Sequence, residues 1–291
     1  MKEFAYKMMP AFRHGAMTPW GGSALKTLYG KDIPDERTGE ALEASTLPGL
    51  ESRTADGRTL TELAGGRLPL LLKFIDAREC LSVQVHPDNA FAAEHEGKLG
   101  KEEAWLILHA EPGAKLVYGL KPGVDLAAVS GKQIEDCLRW VDVQAGDVLY
   151  IPAGMVHAIG AGIVLYEIQQ SSDVTYRFWD WNKIGADGKP RPLHWEKACR
   201  CARPELSLSP LRGGERLKTD YFTLDRVKAE GGRVELPQCS GFRYVTVLSG
   251  SGALCHDGEA MPVAAGDTLF VPAGVDGLTL EGACEAAVAG E

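Results

Sequence analysis

The chain lacks the features that would direct it to a membrane or to a nucleic acid. Its most apolar stretch, Ile151 to Ile168, is interrupted by His157, Glu167 and three glycines, so no membrane span is expected. It also lacks a basic surplus. The 40 Asp and Glu against 31 Lys and Arg leave a formal charge of -9, which supplies no field for phosphate backbones or anionic lipid. Cysteine is sparse and unpaired in pattern. Seven are scattered at 80, 137, 199, 201, 239, 255 and 284, an odd number, and Cys199-x-Cys201 lacks the two-residue gap and second pair of a structural zinc site. Reduced thiols are expected. The amino end, Met1-Lys2-Glu3-Phe4-Ala5-Tyr6-Lys7, places an acid and two lysines before any apolar run, so no signal peptide is visible and a cytoplasmic location is expected.

Long helical patterns are few as well, whereas glycine (34) and proline (16) are plentiful, the composition of short strands joined by turns. Strands are expected over 70–76, 81–86, 104–108, 148–151, 163–169, 244–248 and 268–271, from their branched and aliphatic residues. Helices are expected over 124–140, 193–201 and, after a capping threonine, 59–65. One segment occurs twice: Gly146-Asp147-Val148-Leu149-Tyr150-Ile151-Pro152-Ala153-Gly154 returns as Gly266-Asp267-Thr268-Leu269-Phe270-Val271-Pro272-Ala273-Gly274, with six of nine positions identical. Each copy reads as a Gly-Asp turn, a short buried strand and a Pro-x-Gly reversal. It resembles the second signature motif of the cupin jelly roll. The expected fold is therefore all-β, a bicupin-like double jelly roll with a few short helices. Residues 1–205 would hold an amino-terminal segment and the metal-binding unit; 206–291 would be a smaller, degenerate β-unit, with 206–216 as the connection. Trp179, Asp180 and Trp181 are expected to pack between the two units.

The first copy is followed by His157, the second by Gly277, so a histidine ligand is available only in the first. Upstream, Gln84 and His86 lie two apart and share one face of a strand. Glu103 opens the next strand, and Glu102 would then face away. Two imidazoles, a carboxylate and an amide oxygen suit Zn²⁺, one per chain, with iron and manganese as alternatives.

Several segments are similar to type I mannose-6-phosphate isomerase in its short bacterial form: Leu81-Ser82-Val83-Gln84-Val85-His86-Pro87-Asp88, Gly100-Lys101-Glu102-Glu103-Ala104-Trp105, 151–160, Trp20-Gly21-Gly22, and the run from Tyr166 to Arg177. The resemblance implies that Gln84, His86, Glu103 and His157 are the metal ligands, that Arg177 is catalytic with Lys101 and Asp173 beside it, and that Glu167 is an active-site carboxylate. It departs at Leu42, where the family usually has tryptophan, which bears on substrate specificity. The implied reaction, D-mannose 6-phosphate to D-fructose 6-phosphate, moves a proton through an enediol whose oxygens gather negative charge. A metal and a guanidinium stabilise such oxygens, and Lys101 and Arg177 are the basic groups for the sugar phosphate. Ser82 and Trp20 are further candidates for substrate contact. Arg177 has an alternative reading as a structural partner of Asp173, and the catalytic base stays open between Glu167 and a water on the metal. An iron-dependent cupin dioxygenase and a non-catalytic sugar-binding cupin are the competing functions, since fold alone does not fix activity.

Overall fold

The computed structural model describes residues 3–185, 188–214 and 216–291, and among them strands dominate. They form three sheets. The central sheet orders Ala11–Arg13, Glu40–Ala44, Leu70–Ala77, Ile163–Gln170, Glu103–Ala110 and Val148–Ile151. Side chains of a strand alternate between its faces, so Leu70, Leu72, Phe74, Leu106 and Tyr166 fall in one core while Ile75, Trp105, Ile107 and Leu165 fall in another. Both faces are covered. The first core is closed by Leu224, Tyr244 and Phe270 of the carboxy-terminal sheet, the second by Leu116 and Tyr118 of a sheet that orders Tyr176–Trp179, Val83–Val85, His157–Ala158, Lys115–Leu120 and Leu138–Asp142. Burial on both faces explains why all eight residues of Leu70–Ala77 are inaccessible, including Lys73 and Asp76. The carboxy-terminal sheet also takes in Tyr6–Met8, paired with Thr268–Val271.

The two copies of the repeated segment adopt one turn geometry. Gly146 and Gly266 both have φ 91°, a region costly for any residue with a Cβ. Asp147 then accepts a hydrogen bond from the Gln144 N–H at 2.9 Å, and Asp267 accepts from the Ala264 N–H at 2.7 Å. The strands that follow are Val148–Ile151 and Thr268–Val271.

Helices form at Leu60–Ala64, capped by the Thr59 hydroxyl accepting from the Glu62 N–H at 3.1 Å, and at Trp195–Cys201. The helix expected over 124–140 does not form. Two 3-10 helices, Leu126–Ala128 and Gly131–Cys137, and the strand Leu138–Asp142 take its place. Gly131 at φ 52° breaks the run, and Leu138 and Trp140 pair with Leu120 and Val117, so sheet pairing overrides the helical spacing. Val124, Leu126, Ile134 and Leu138 instead coat the outer face of that sheet together with Val83, Val117 and Phe178.

Candidate active site

Strand pairing assembles the site. On one sheet His157, Gln84 and Arg177 are direct cross-strand neighbours, His157 opposite Gln84 and Gln84 opposite Arg177. On the facing central sheet Gln169 is opposite Glu103, and Glu167 lies between Trp105 on one side and Lys73 on the other. Period-two alternation turns Lys73, Glu103 and Glu167 away from the core of Leu72, Leu106 and Tyr166 and toward the first sheet. Between the sheets lies a cavity of about 570 Å³ whose wall includes Gln84, Lys101, Glu167 and Arg177.

Behind Gln84 and Lys101, fully buried, His86, Glu103 and His157 offer ligand atoms that all lie within 4.8 Å of one another. The tautomers follow from the partners. His86 Nδ1 donates to the Val174 carbonyl at 2.9 Å and His157 Nδ1 to the Met155 carbonyl at 2.9 Å, which leaves both Nε2 lone pairs facing inward. Burial holds His157 down at about 3, and burial with the Lys101 charge holds His86 well below its ordinary value, so both rings are neutral. Glu103 Oε1 lies 3.3 Å from His157 Nε2 and accepts no hydrogen bond among the described residues. Lone pairs and carboxylate oxygens converging in a dry site require a cation. Here the Lys101 ammonium answers it, donating to His86 Nε2 at 3.0 Å and to Glu103 Oε2. The donor set therefore fits a metal ion, as neutral imidazoles and a carboxylate do. Gln84 lies beside it: its amide nitrogen is 3.3 Å from His157 Nε2 while its oxygen accepts from Ser82 Oγ at 3.1 Å, and rotation of the amide exchanges the two.

Burial and the neighbouring Glu167 raise the Glu103 carboxyl to about 7 against the opposing pull of Lys101. For Glu167, burial is outweighed by Lys73 and Lys101, and the carboxyl falls below its usual range. It accepts from Trp105 Nε1 at 2.9 Å and lies 3.3 Å from the Lys73 ammonium. Glu102 faces away, accepting from the Tyr150 hydroxyl. Trp20 and Ser82 line the cavity and are buried; Gly21 and Gly39 make room there, because a Cβ on Gly39 would come within 2.6 Å of the Trp20 ring.

Asp173 lies at the rim and pairs with Lys98 at 2.7 Å, not with Arg177. The charges around Arg177 are those of Arg191, Asp180, Arg13 and Glu40, and burial together with Arg191 lowers its pKa. Its Nε is buried without a partner among the described residues. Trp179, Asp180 and Trp181 do not pack between the β-units. Both tryptophans join the outer cluster of Val83 and Phe178, Trp181 Nε1 donates to the Leu81 carbonyl at 2.7 Å, and Asp180 holds Arg191 through two hydrogen bonds of 2.5 Å. Pairing of Tyr176–Trp179 with Val83–Val85, and not the seam between the units, fixes this segment.

Sequence reasoning missed Lys73, Glu40, Arg13 and Arg191, all in the cavity wall. Lys73 lies 3.5 Å from Glu40, and Arg13 lies 3.0 Å from the same carboxylate, so Glu40 stays ionised below its usual range despite its burial. A lone lysine inside Leu70-Leu71-Leu72-Lys73-Phe74-Ile75 was the signal for the first. Leu42, opposite Lys73 in the pairing, is fully buried and outside the cavity wall.

Fold and site together define a cupin protein with a cluster of two histidines and a carboxylate able to hold a metal. Residues 13–113 match the model of the phosphomannose isomerase type I catalytic domain, and residues 215–290 that of the mannose-6-phosphate isomerase cupin domain. The mannose-6-phosphate isomerase of Streptococcus mutans is 36% identical over 87% of this chain and 88% of its own length, and Bacillus subtilis ManA is 34% identical over 92% and 94%. The crystal structure of the Bacillus subtilis mannose 6-phosphate isomerase superposes with TM-score 0.88 at 31% identity, covering 99% of this chain and 100% of that one. The chain belongs to the type I phosphomannose isomerase family.

Proposed function

We infer that the protein interconverts D-mannose 6-phosphate and D-fructose 6-phosphate, with one Zn²⁺ per chain held by Gln84, His86, Glu103 and His157. The observation that carries this reading is the convergence of two neutral imidazole lone pairs on a buried carboxylate, directly behind a cavity walled by cations. When bound, the ion would supply Lewis-acid polarisation of sugar oxygens. Arg177 brings a guanidinium with an unused Nε to the same wall, suited to charge developing on an enediolate. Lys101, in the same cavity wall, is a second positive group for those oxygens. Glu167, kept ionised by Lys73, is placed to accept the migrating proton, and Trp105 Nε1 holds its other oxygen. Ser82 and Trp20 contact the sugar, and Asp173 sets the charge at the rim.

In this reading the catalytic unit lies within residues 1–205, except that Tyr6–Met8 completes the sheet of the second unit, and 206–291 form a β-unit in which Gly277 replaces the histidine. No helix among the described residues is long and apolar enough to cross a membrane, and seven free cysteines accord with a reducing cytoplasm. The test is a coupled assay for fructose 6-phosphate with metal content measured on the same protein. Wild type should turn over with about one zinc per chain, and His157→Ala should lose both while staying folded. Oxygen uptake on bound iron without isomerisation would select the dioxygenase reading, and sugar binding without turnover a non-catalytic one.

A further inference from the structure

The segment that delivers Lys101 and Glu103 to the site is anchored by side chains that the reaction itself does not use. Three consecutive backbone N–H groups are held at 2.9 Å each: Gly100 donates to Asn89 Oδ1, Lys101 to the Pro87 carbonyl, and Glu102 to Gln170 Oε1. Two of the three acceptors are thus side-chain amides, and these are bonded to each other, Gln170 Nε2 donating to Asn89 Oδ1 at 3.2 Å. The backbone of Gln170 also donates to the Glu102 carbonyl at 3.0 Å. The approach is tight: a Cβ on Gly100 would lie 2.5 Å from the Asp88 carbonyl carbon, so glycine is required for the chain to reach these partners. The Asn89 amide nitrogen in turn donates to Tyr221 Oη at 3.2 Å, a residue of the carboxy-terminal unit. Tyr221 sits in a fixed turn, where Thr219 Oγ1 accepts from the Tyr221 and Phe222 N–H groups at 3.1 and 3.0 Å.

We propose that Asn89, Gln170 and Tyr221 are positioning residues for Lys101 and Glu103, and that through Tyr221 the metal-free β-unit takes part in setting the geometry of the active site. The proposal rests on the isomerase reading above. The reason is chemical. An ammonium on a flexible four-carbon stem is placed no better than its backbone, and displacements of about 1 Å at a reacting centre can cost about 10²-fold in rate. Holding Gly100, Lys101 and Glu102 by their N–H groups fixes where both side chains start, without touching substrate.

Asn89 begins the helix Asn89–Glu96, whose cap is Asp88, and alanine suits that position. Asn89→Ala therefore removes the amide while the helix stays. It should lower kcat by about 10-fold or more, as expected for the loss of its three hydrogen bonds, with KM within about twofold. Asn89→Asp, which keeps the acceptor for Gly100 and Gln170, should recover most of the loss. A cavity of about 590 Å³ borders Asn89, Gln170 and Tyr221, so water can replace the tyrosyl oxygen and Tyr221→Phe should cost less, about threefold. The two act in series, so Asn89→Ala with Tyr221→Phe should be no slower than Asn89→Ala alone. Rates are referred to metal-loaded, folded chain, measured from metal content and thermal midpoint in each sample. Normal kcat in Asn89→Ala, a purely thermal effect, or additive losses in the double variant would overturn the proposal. A wild type without isomerase turnover would overturn the isomerase reading instead, so the two failures are distinguishable.

Discussion

Among single residues, Arg177 separates a catalytic from a structural reading most sharply. It is opposite Gln84 in the strand pairing, lines the cavity and, among the described residues, has no carboxylate within ion-pair distance, since Asp173 is engaged by Lys98 and Asp180 by Arg191. Its backbone is well supported: the His194 N–H donates to its carbonyl at 2.8 Å, and its own N–H donates to His194 Nδ1 at 3.2 Å. Truncating the side chain should leave strand and metal in place. Arg177→Ala is expected to lower turnover by about 10² to 10³-fold, the scale of losing one preorganised electrostatic group. Arg177→Lys should rescue poorly, because an ammonium cannot address two oxygens with a planar fork. Turnover and metal content of both variants check this; near-normal rates in both would remove Arg177 from the chemistry.

At the scale of elements, the strand Glu40–Ala44 is tied to the second copy of the repeat through a buried ion pair. Lys31 lies 2.6 Å from Glu43 and donates to the Gly266 carbonyl at 2.6 Å. Burial raises the Glu43 carboxyl in spite of Lys31. A carboxyl whose folded-state pKa is raised favours folding below its unfolded value of about 4.3, and that contribution is lost as pH rises through the folded-state value. Glu43→Gln cannot ionise, so its thermal midpoint should gain on wild type as pH rises above about 5. A gap that stays constant or moves the other way would mean that Glu43 is held as a favourable ionic partner of Lys31. The elements themselves were legible where a local signal and the tertiary structure agree. The repeated Gly-Asp turn is one such case, because φ 91° and an aspartate cap are both written in two residues. Gln84 and His86 shared a face by spacing, and Glu102 turned away as alternation requires. The segment 124–140 was misread because apolar spacing of helical period serves equally to coat a sheet once Leu138 and Trp140 pair with Leu120 and Val117. Lys73, Glu40 and Asn89 were missed for a different reason. Their roles depend on which strand lies opposite or which helix end abuts a turn, and nothing local records that.

For the molecule as a whole, one sheet does two tasks. Its outer face is buried against the carboxy-terminal sheet, and its inner face presents Lys73, Glu103 and Glu167 to the strands that carry Gln84, His157 and Arg177. A second, ligand-poor β-unit then serves as the wall behind the site, with Tyr221 as its contact to the Lys101 segment. The decisive measurement is a titration of zinc into chelator-stripped protein, followed by turnover of mannose 6-phosphate. Turnover should start near zero, rise linearly and break at one equivalent of zinc per chain. Full turnover in the stripped protein, or a break at two equivalents, would contradict the assignment of one catalytic metal to Gln84, His86, Glu103 and His157.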